Sequence, residues 1–452
     1  MLNSIKEKIN NYFSKGHERT LLVKRNIAFS FLLKGLSIIV GLILLPITLK
    51  YVNTTQYGIW LTLSSVISWM SFFDIGLGNG LKNKLAESNA LGQFKNSRIF
   101  ISTTYAILII ISSCLFVIFL FVNQFLDWNK ILNLDHPSNN INQLALIVFS
   151  LFCVQFIAQI INTILTAFHF VAKVSLIMLI GQIVSLGGVV ALIKFTHSSL
   201  ILLILINGGI PVIIQILTGI WYYKNSLKEF APNVKLIDFK YAKELFGLGG
   251  IFFIIQMGAL ILFQTDNIVI VQLFGPAQVT TFNIAYKLFS VFILGFNIII
   301  TPFWSAFTDA YANKDLLWIK STLRKIKRIC LFMSISSIVL FFSAPFIYKV
   351  WFNDSINIPV SLSLAMAFYV IAYMWQTTHV YFLNGINKIR LQLYLVIISA
   401  VINIPIAIFL GHKIGLAGVT WSNSILFFLM GGVFSFQTSK ILNNKAEGIL
   451  NL

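Results

Sequence analysis

The sequence predicts an all-α integral membrane protein of about twelve transmembrane helices. They form two pseudo-symmetric six-helix lobes around a central cavity, with N- and C-termini cytoplasmic. Three observations predict this. The 452 residues are 58% hydrophobic and only 10% charged, where a soluble domain carries about 25% charged residues. Twelve apolar runs reach the roughly 20 residues that span a bilayer. The basic residues between those runs fall on alternate loops.

The elements follow in order. Residues 1–26 are polar and basic, and Leu2, Ile5, Ile9 and Phe13 recur at helical spacing around Lys6, Glu7 and Lys8. This segment is expected to lie on the cytoplasmic membrane face. The run after it has no small-residue cleavage site, which argues against a cleaved signal peptide. Spans are expected at 27–50, 57–80, 99–122, 143–168, 171–193 and 200–223, the N-lobe of residues 27–223. A basic cytoplasmic linker follows at 224–245. The C-lobe, residues 246–437, has spans at 246–271, 279–304, 329–348, 359–383, 391–410 and 415–437, and 438–452 is a cytoplasmic tail. Pro46, Gly187-Gly188, Gly208-Gly209-Ile210-Pro211, Pro302 and Pro405 interrupt these runs, as bends in bundles do.

Of 33 Lys and Arg residues, 26 fall on the side of the N-terminus, and five (Lys50, Lys130, Lys194, Lys349, Lys413) on the other. Lys34 and Lys287 lie within spans. Adding or deleting one helix would scramble that split. The formal net charge of +19 therefore reads as topology, and a nucleic-acid partner is not expected. Cys114, Cys153 and Cys330 sit singly in apolar runs, as small core residues. The chain has no Gly-x-x-x-x-Gly-Lys-Ser/Thr, His-Glu-x-x-His, Gly-x-Ser-x-Gly or Cys-x-x-Cys pattern. No catalytic residue, metal site or cofactor is expected, and the chain does not read as an enzyme. The segment 50–60 aligns loosely with 272–282, each a tight loop with a Gln and then an aromatic at the same offset. Repeated lobes of this kind are a transporter architecture.

Charges inside spans cost about 2.5–3.5 kcal/mol at the bilayer centre, so they face a cavity or a partner. Four lie there: Lys34, Asp74, Asp266 and Lys287. Lys34 and Asp74 are equally far from the turn near Asn53, and Asp266 and Lys287 from the turn near Pro276. Equal distance in a hairpin means equal depth, which predicts two ion pairs. On one reading the pairs only neutralise each other and fix packing. On the other, the lysines meet an anionic substrate while the aspartates hold them or bind a coupling cation. Polar stripes recur at helical spacing: Ser64, Ser68 and Ser71; Gln155, Gln159, Asn162 and Thr166; Asn283, Lys287, Ser290 and Asn297; Tyr369, Tyr373, Gln376 and Thr377. Each stripe either glues helices together or lines a wet interior. Amide, hydroxyl and aromatic groups together suit sugars. Of six histidines only His379 falls within a span, and a hydrogen-bonded structural role is expected for it.

Several segments resemble a known family. The first span ends Leu-Pro-Ile-Thr-Leu-Lys-Tyr-Val-Asn-Thr-Thr-Gln-Tyr-Gly-Ile-Trp (45–60) and the second Asp-Ile-Gly-Leu-Gly-Asn-Gly (74–80). The seventh carries Gln-Thr-Asp-Asn-Ile-Val-Ile (264–270), then a Gly-Pro turn and Phe-Asn-Ile-Ala-Tyr-Lys-Leu (282–288). The chain resembles, over essentially its whole length, the polysaccharide transporter (O-antigen flippase, Wzx-type) family of the multidrug/oligosaccharidyl-lipid/polysaccharide exporter superfamily. That resemblance implies flipping of undecaprenyl-diphosphate-linked oligosaccharide from the cytoplasmic to the outer leaflet of the bacterial plasma membrane, by alternating access. It implies H+ or Na+ as candidate coupling ions, and a polysaccharide polymerase and chain-length regulator as candidate partners. Related lipid II flippases carry cavity arginines and two extra helices for the lipid tail. On the twelve-span reading this chain has lysines instead, and those two helices are not expected in it. The alternatives are a cation-coupled multidrug exporter of the same superfamily and a membrane-embedded glycan polymerase. The polymerase reading lacks the large outer loop such enzymes need.

Overall fold

The computed structural model describes residues 18–68, 77–90, 92–134, 140–168, 170–242, 265–353 and 355–451. Within them the long elements are all helices, because a backbone in hydrocarbon must satisfy its own N–H and C=O groups. In chain order they are α1 (Glu18–Tyr51), α2 (Thr54–Ser68), α3 (Leu77–Ala90), α4 (Phe94–Val122), α5 (Ile141–Ala167), α6 (Val171–Phe195) and α7 (Leu200–Lys224). Then come α8 (Thr265–Phe274), α9 (Pro276–Ile300), α10 (Phe303–Ala312), α11 (Leu316–Phe352), α12 (Val360–Gly385), α13 (Arg390–Ile414) and α14 (Leu416–Leu442). Ten of the described helices are long and apolar enough to cross a membrane, and each coincides with one of the twelve expected spans. The other two spans, 57–80 and 246–271, reach into residues outside those described. Asp74 and residues 1–17 also lie outside them.

Between the expected spans, residues 81–98 and 305–328 are largely helical: α3 and α10 occupy much of them and α11 begins at Leu316. At 37 residues and 1.5 Å per residue, α11 outruns the ~30 Å hydrocarbon layer. Its first turns carry Lys320, Arg324, Lys325, Lys327 and Arg328, so the helix continues through basic residues where the apolar run ends. Pro302 falls between the end of α9 at Ile300 and the start of α10 at Phe303, but the other breaks expected from proline are milder than ends. Pro46, Pro345 and Pro405 sit inside continuous helices. Ahead of Pro211, α7 widens into a π-turn at Leu205–Gly209, and the Ser185 hydroxyl donates to the Ile206 carbonyl at 3.4 Å. That turn accommodates the ring, which would otherwise clash with the carbonyl four residues earlier.

The chain packs as two compact units. One holds residues up to Tyr51, Met70–Leu126 and Asn140–Gly250; the other holds Val52–Trp69, Asp127–Asn139 and Ile251–Leu452. Among the described residues, α2 and residues 127–134 group with the later helices. In the first unit α1 runs along α6, and the Tyr51 hydroxyl donates to the His197 carbonyl at 2.8 Å. Phe156, Ile161, Ile164 and Leu165 of α5 pack with Leu81, Leu85, Ile101 and Leu108. In the second unit α12 packs against α14 and α11, and α2 against α9. A methyl at Gly58 would run into the Pro276 carbonyl, so α2 reaches α9 only with glycine there. Thr280 Oγ1 donates to the Thr54 carbonyl at 2.6 Å, a second tie at the same level. On the one-turn helix Trp128–Ile131 of this unit, the Asp127 carboxylate accepts from Lys130 N at 3.2 Å, and that hydrogen bond lowers its pKa. Gln272 Nε2 donates to the Lys130 and Ile131 carbonyls, and Asn133 Nδ2 returns a bond to the Gln272 carbonyl.

Candidate functional site

The second unit contains a cavity of about 350 Å³ walled by α2, α8, α9, α12 and α14. Its geometry starts from the α8–α9 turn. Gly275 stands at φ +82°, where a side chain would be strained, and Pro276 opens α9 with its preset φ. Across that turn Asn283 Nδ2 donates to Asn267 Oδ1 at 2.8 Å, and Asn267 Nδ2 donates to Ser65 Oγ at 2.6 Å. Ser65 in turn donates to the Leu61 carbonyl at 2.9 Å. One directed chain of hydrogen bonds thus ties α9 to α8 to α2.

Asp266 is 6% exposed, and its Oδ2 accepts from Asn423 Nδ2 of α14 at 2.7 Å. Its Oδ1 has no hydrogen-bond partner among the described residues. Nor have three further buried oxygens of the cavity lining: Asn423 Oδ1, Thr420 Oγ1 and Ser64 Oγ. A buried oxygen without a donor costs about 1–3 kcal/mol, so four on one small cavity mark a place where a ligand or water completes the structure. Hard cations take oxygen ligands of this mixture, one carboxylate with an amide and hydroxyls. Tyr286 and Tyr369 lie on the same wall, their ring centroids 6.2 Å apart. Tyr369 and Tyr373 both flank Phe427, and Tyr373 exchanges hydrogen bonds with Asn297 at 3.0 and 3.3 Å.

The candidate residues from the sequence divide as follows. Ser64, Asp266, Asn283 and Tyr369 line the cavity. Tyr373 continues its aromatic wall through Phe427. Lys287 is half-buried on α9, and the ion pair expected with Asp266 is not formed among the described residues. The cause is register. Asn267 faces Asn283, which puts the level of Asp266 near Ile284 and leaves Lys287 most of a helical turn deeper. Asn423 meanwhile occupies the carboxylate. Ser290 Oγ donates to the Lys287 carbonyl on its own helix, and Gln376 is half-buried outside the cavity lining.

In the first unit Gln155 Nε2 donates to Gln215 Oε1 at 3.2 Å, tying α5 to α7. Gln159 and Asn162 are half-buried on the same helix, and Asn162 Oδ1 has no partner among the described residues. Lys34 is exposed on α1. Its expected partner Asp74 lies outside the described residues, as does the side chain of Ser68. His379 is buried with Nδ1 3.0 Å from the Trp375 carbonyl.

Ser65, Asn267, Tyr286, Thr420 and Asn423 belong to the site and were missed as candidates. Asn267 directly follows Asp266, and Thr420 and Asn423 share a face of the last span at i, i+3. They stand in the polar cluster Thr-Trp-Ser-Asn-Ser (420–424), which marks the segment but does not single them out.

A profile of the polysaccharide biosynthesis protein family matches residues 23–307. A Salmonella typhi protein named for O-antigen transport is 23% identical over 419 residues, covering 89% of this chain and 92% of the relative. A Yersinia pseudotuberculosis protein named for O-antigen export is 22% identical over 370 residues, covering 78% and 81%. Among solved structures, an inward-facing multidrug resistance MATE family transporter of the MOP superfamily superposes with a TM-score of 0.74 at 14% identity, over 90% of this chain and 95% of that one. The outward-facing conformation of a MATE family transporter gives 0.60 at 14% identity, over 90% and 96%. At such identity these structures share the fold.

Proposed function

The chain belongs to the polysaccharide biosynthesis protein family, and on that premise we propose that it flips undecaprenyl-diphosphate-linked oligosaccharide units from the cytoplasmic to the outer leaflet of the bacterial plasma membrane. It works as a multi-pass exporter by alternating access, with both termini in the cytoplasm. A diphosphate cannot cross hydrocarbon unpaired; the polyprenyl tail stays in lipid while the polar head passes through a wet interior. The observation that carries the reading is the cavity of the second unit, whose wall alternates amides, hydroxyls and tyrosines. Those groups fit sugar hydroxyls and the apolar faces of sugar rings. Lys287, one turn along α9 from Asn283, serves the anionic head; Lys34, exposed on α1, is the first unit's own candidate for an anionic group.

Transport in one direction needs a bias between states. The oxygens of Asp266, Asn423, Thr420 and Ser64 supply one by taking Na+, or a proton on Asp266, in one state of the cycle. Polymerisation outside, by a partner polymerase with its chain-length regulator, removes product and adds to the bias. The test is flipping of a fluorescent lipid-diphosphate-linked oligosaccharide in proteoliposomes. The wild type should flip it, and Lys287→Ala and Lys34→Ala should fall to background at normal membrane level. Wild-type rates in both variants would sink the cationic-head idea. A second reading, export of cationic drugs, is favoured by one observation: among the described residues the cavity carboxylate of Asp266 has no lysine partner. Drug susceptibility of cells that lack or overproduce the protein separates the two.

A further inference from the structure

The stretch after α7 is a fixed strap on the first unit. It runs through three short turns, Lys228–Phe230, Val234–Leu236 and Phe239–Tyr241. Three side chains within the first turns of α4 grip its backbone. Arg98 Nε donates to the Ala231 carbonyl at 2.8 Å, Ser102 Oγ accepts from Asn233 N at 2.9 Å, and Thr103 Oγ1 accepts from Asp238 N at 3.1 Å. Aromatic edges close both ends: Phe230 meets Phe94 and Phe168, and Tyr241 meets Phe100.

This grip decides which side chains are left outward. Val234 is 83% and Phe239 54% exposed, although Leu227 and Phe230 of the same segment are buried. Each exposed apolar residue is followed by an exposed lysine, Lys235 and Lys240. The same pair recurs beside the strap as Phe94-Lys95, with Phe94 47% exposed at the start of α4. The strap's two acids, Glu229 and Asp238, stand against Lys228, Lys235 and Lys240, and Lys95, Arg98 and Lys224 beside it leave the surface basic. Apolar side chains alternating with lysine, where helices emerge from the bilayer, are the composition of a surface that meets headgroups and acyl chains at once.

We propose that this strap is a binding surface for acidic phospholipids of the adjoining leaflet. Lys95, Lys235 and Lys240 take the phosphates, while Phe94, Val234 and Phe239 enter the acyl boundary. The surface is independent of what the protein carries. A fixed strap, unlike a slack linker, holds these groups at one depth.

The test uses the purified full-length protein, incubated separately with phosphatidylglycerol and phosphatidylcholine and examined by native mass spectrometry. The wild type should retain phosphatidylglycerol in preference. Lys235→Ala with Lys240→Ala should lower retention roughly thirtyfold at unchanged melting temperature, and Lys235→Arg with Lys240→Arg should restore it. The control pair Lys194→Ala with Lys413→Ala, far from the strap in sequence, should leave it unchanged. Equal retention of the two lipids, or an equal loss in the control pair, overturns the proposal. Inorganic diphosphate separates a lipid from a free anion: displacement by it, with Val234→Ser and Phe239→Ser without effect, would make this a phosphate site and overturn the lipid assignment. A photo-crosslinking phenylalanine derivative at position 239 keeps the aromatic ring and reads the contact in intact membranes. Phospholipid adducts are expected, and adducts to a protein instead would also overturn the assignment.

Discussion

Asp266 is held by one donor, Asn423, and has one oxygen left over. Asn423→Ala removes that donor and should destabilise the purified protein by about 2 kcal/mol, read as a fall in melting temperature. Asp266→Asn keeps an acceptor of the same shape for Asn423, so its melting temperature should stay close to wild type. Its flipping should lose any response to a Na+ or H+ gradient. An Asp266→Asn protein that still responds to the gradient would place coupling elsewhere. The residue scale is also where the sequence was hardest to read. Asp266 stood out because a charge in an apolar run is rare. Asn267, Thr420 and Asn423 are common neutral groups, and only the packing of three helices distinguishes them from ordinary interhelical glue. Depth alone suggested Lys287 as the partner of Asp266. Register, which depends on Asn267 meeting Asn283, could not be counted from a turn to better than a few residues.

At the scale of elements, hydropathy carried most of the fold, because ten helices of the structure coincide with expected spans. What it could not show is where a helix stops once it leaves the membrane. Basic residues in α11 ended the apolar run without ending the hydrogen-bond ladder. Two elements offer sharp tests. Gly58→Val puts a branched side chain against the Pro276 backbone and should abolish folded protein in the membrane, whereas Gly35→Ala, with open space around it, should leave the yield unchanged. In α7, Pro211→Ala restores an N–H and removes the ring that the π-turn accommodates. The expected outcome is a regular α-helix there and a higher melting temperature, together with slower flipping if the turn serves as a hinge.

For the whole molecule, the basic residues of alternate loops are a prediction about sidedness. Single cysteines at Asn225 and Lys445, in a background without Cys114, Cys153 and Cys330, should react with an impermeant maleimide only after the membrane is opened. Cysteines at Ser198 and Lys413 should react in intact spheroplasts. Any reversal of that pattern would refute the assignment of both termini to the cytoplasm. The grouping of α2 with the later helices was not legible in the sequence. Hairpin logic pairs a helix with its neighbour in the chain, whereas Gly58, Thr54 and Ser65 commit α2 to residues more than 200 positions ahead.

That commitment has a consequence for biosynthesis. Ribosomes add roughly 5–20 residues per second, so α2 enters the membrane some 10–40 s before Asn267 and Thr280 exist. During that wait Ser65 lacks the donor that Asn267 later provides, and the Gly58 face has nothing to lie against. The nascent chain must be held in an unfinished arrangement, by the insertion machinery or by surrounding lipid, until its second half arrives. Ribosome pausing or truncation between residues 70 and 260 should therefore leave a product that is inserted yet sensitive to membrane quality-control proteases, and that sensitivity should vanish once Thr280 has cleared the exit tunnel.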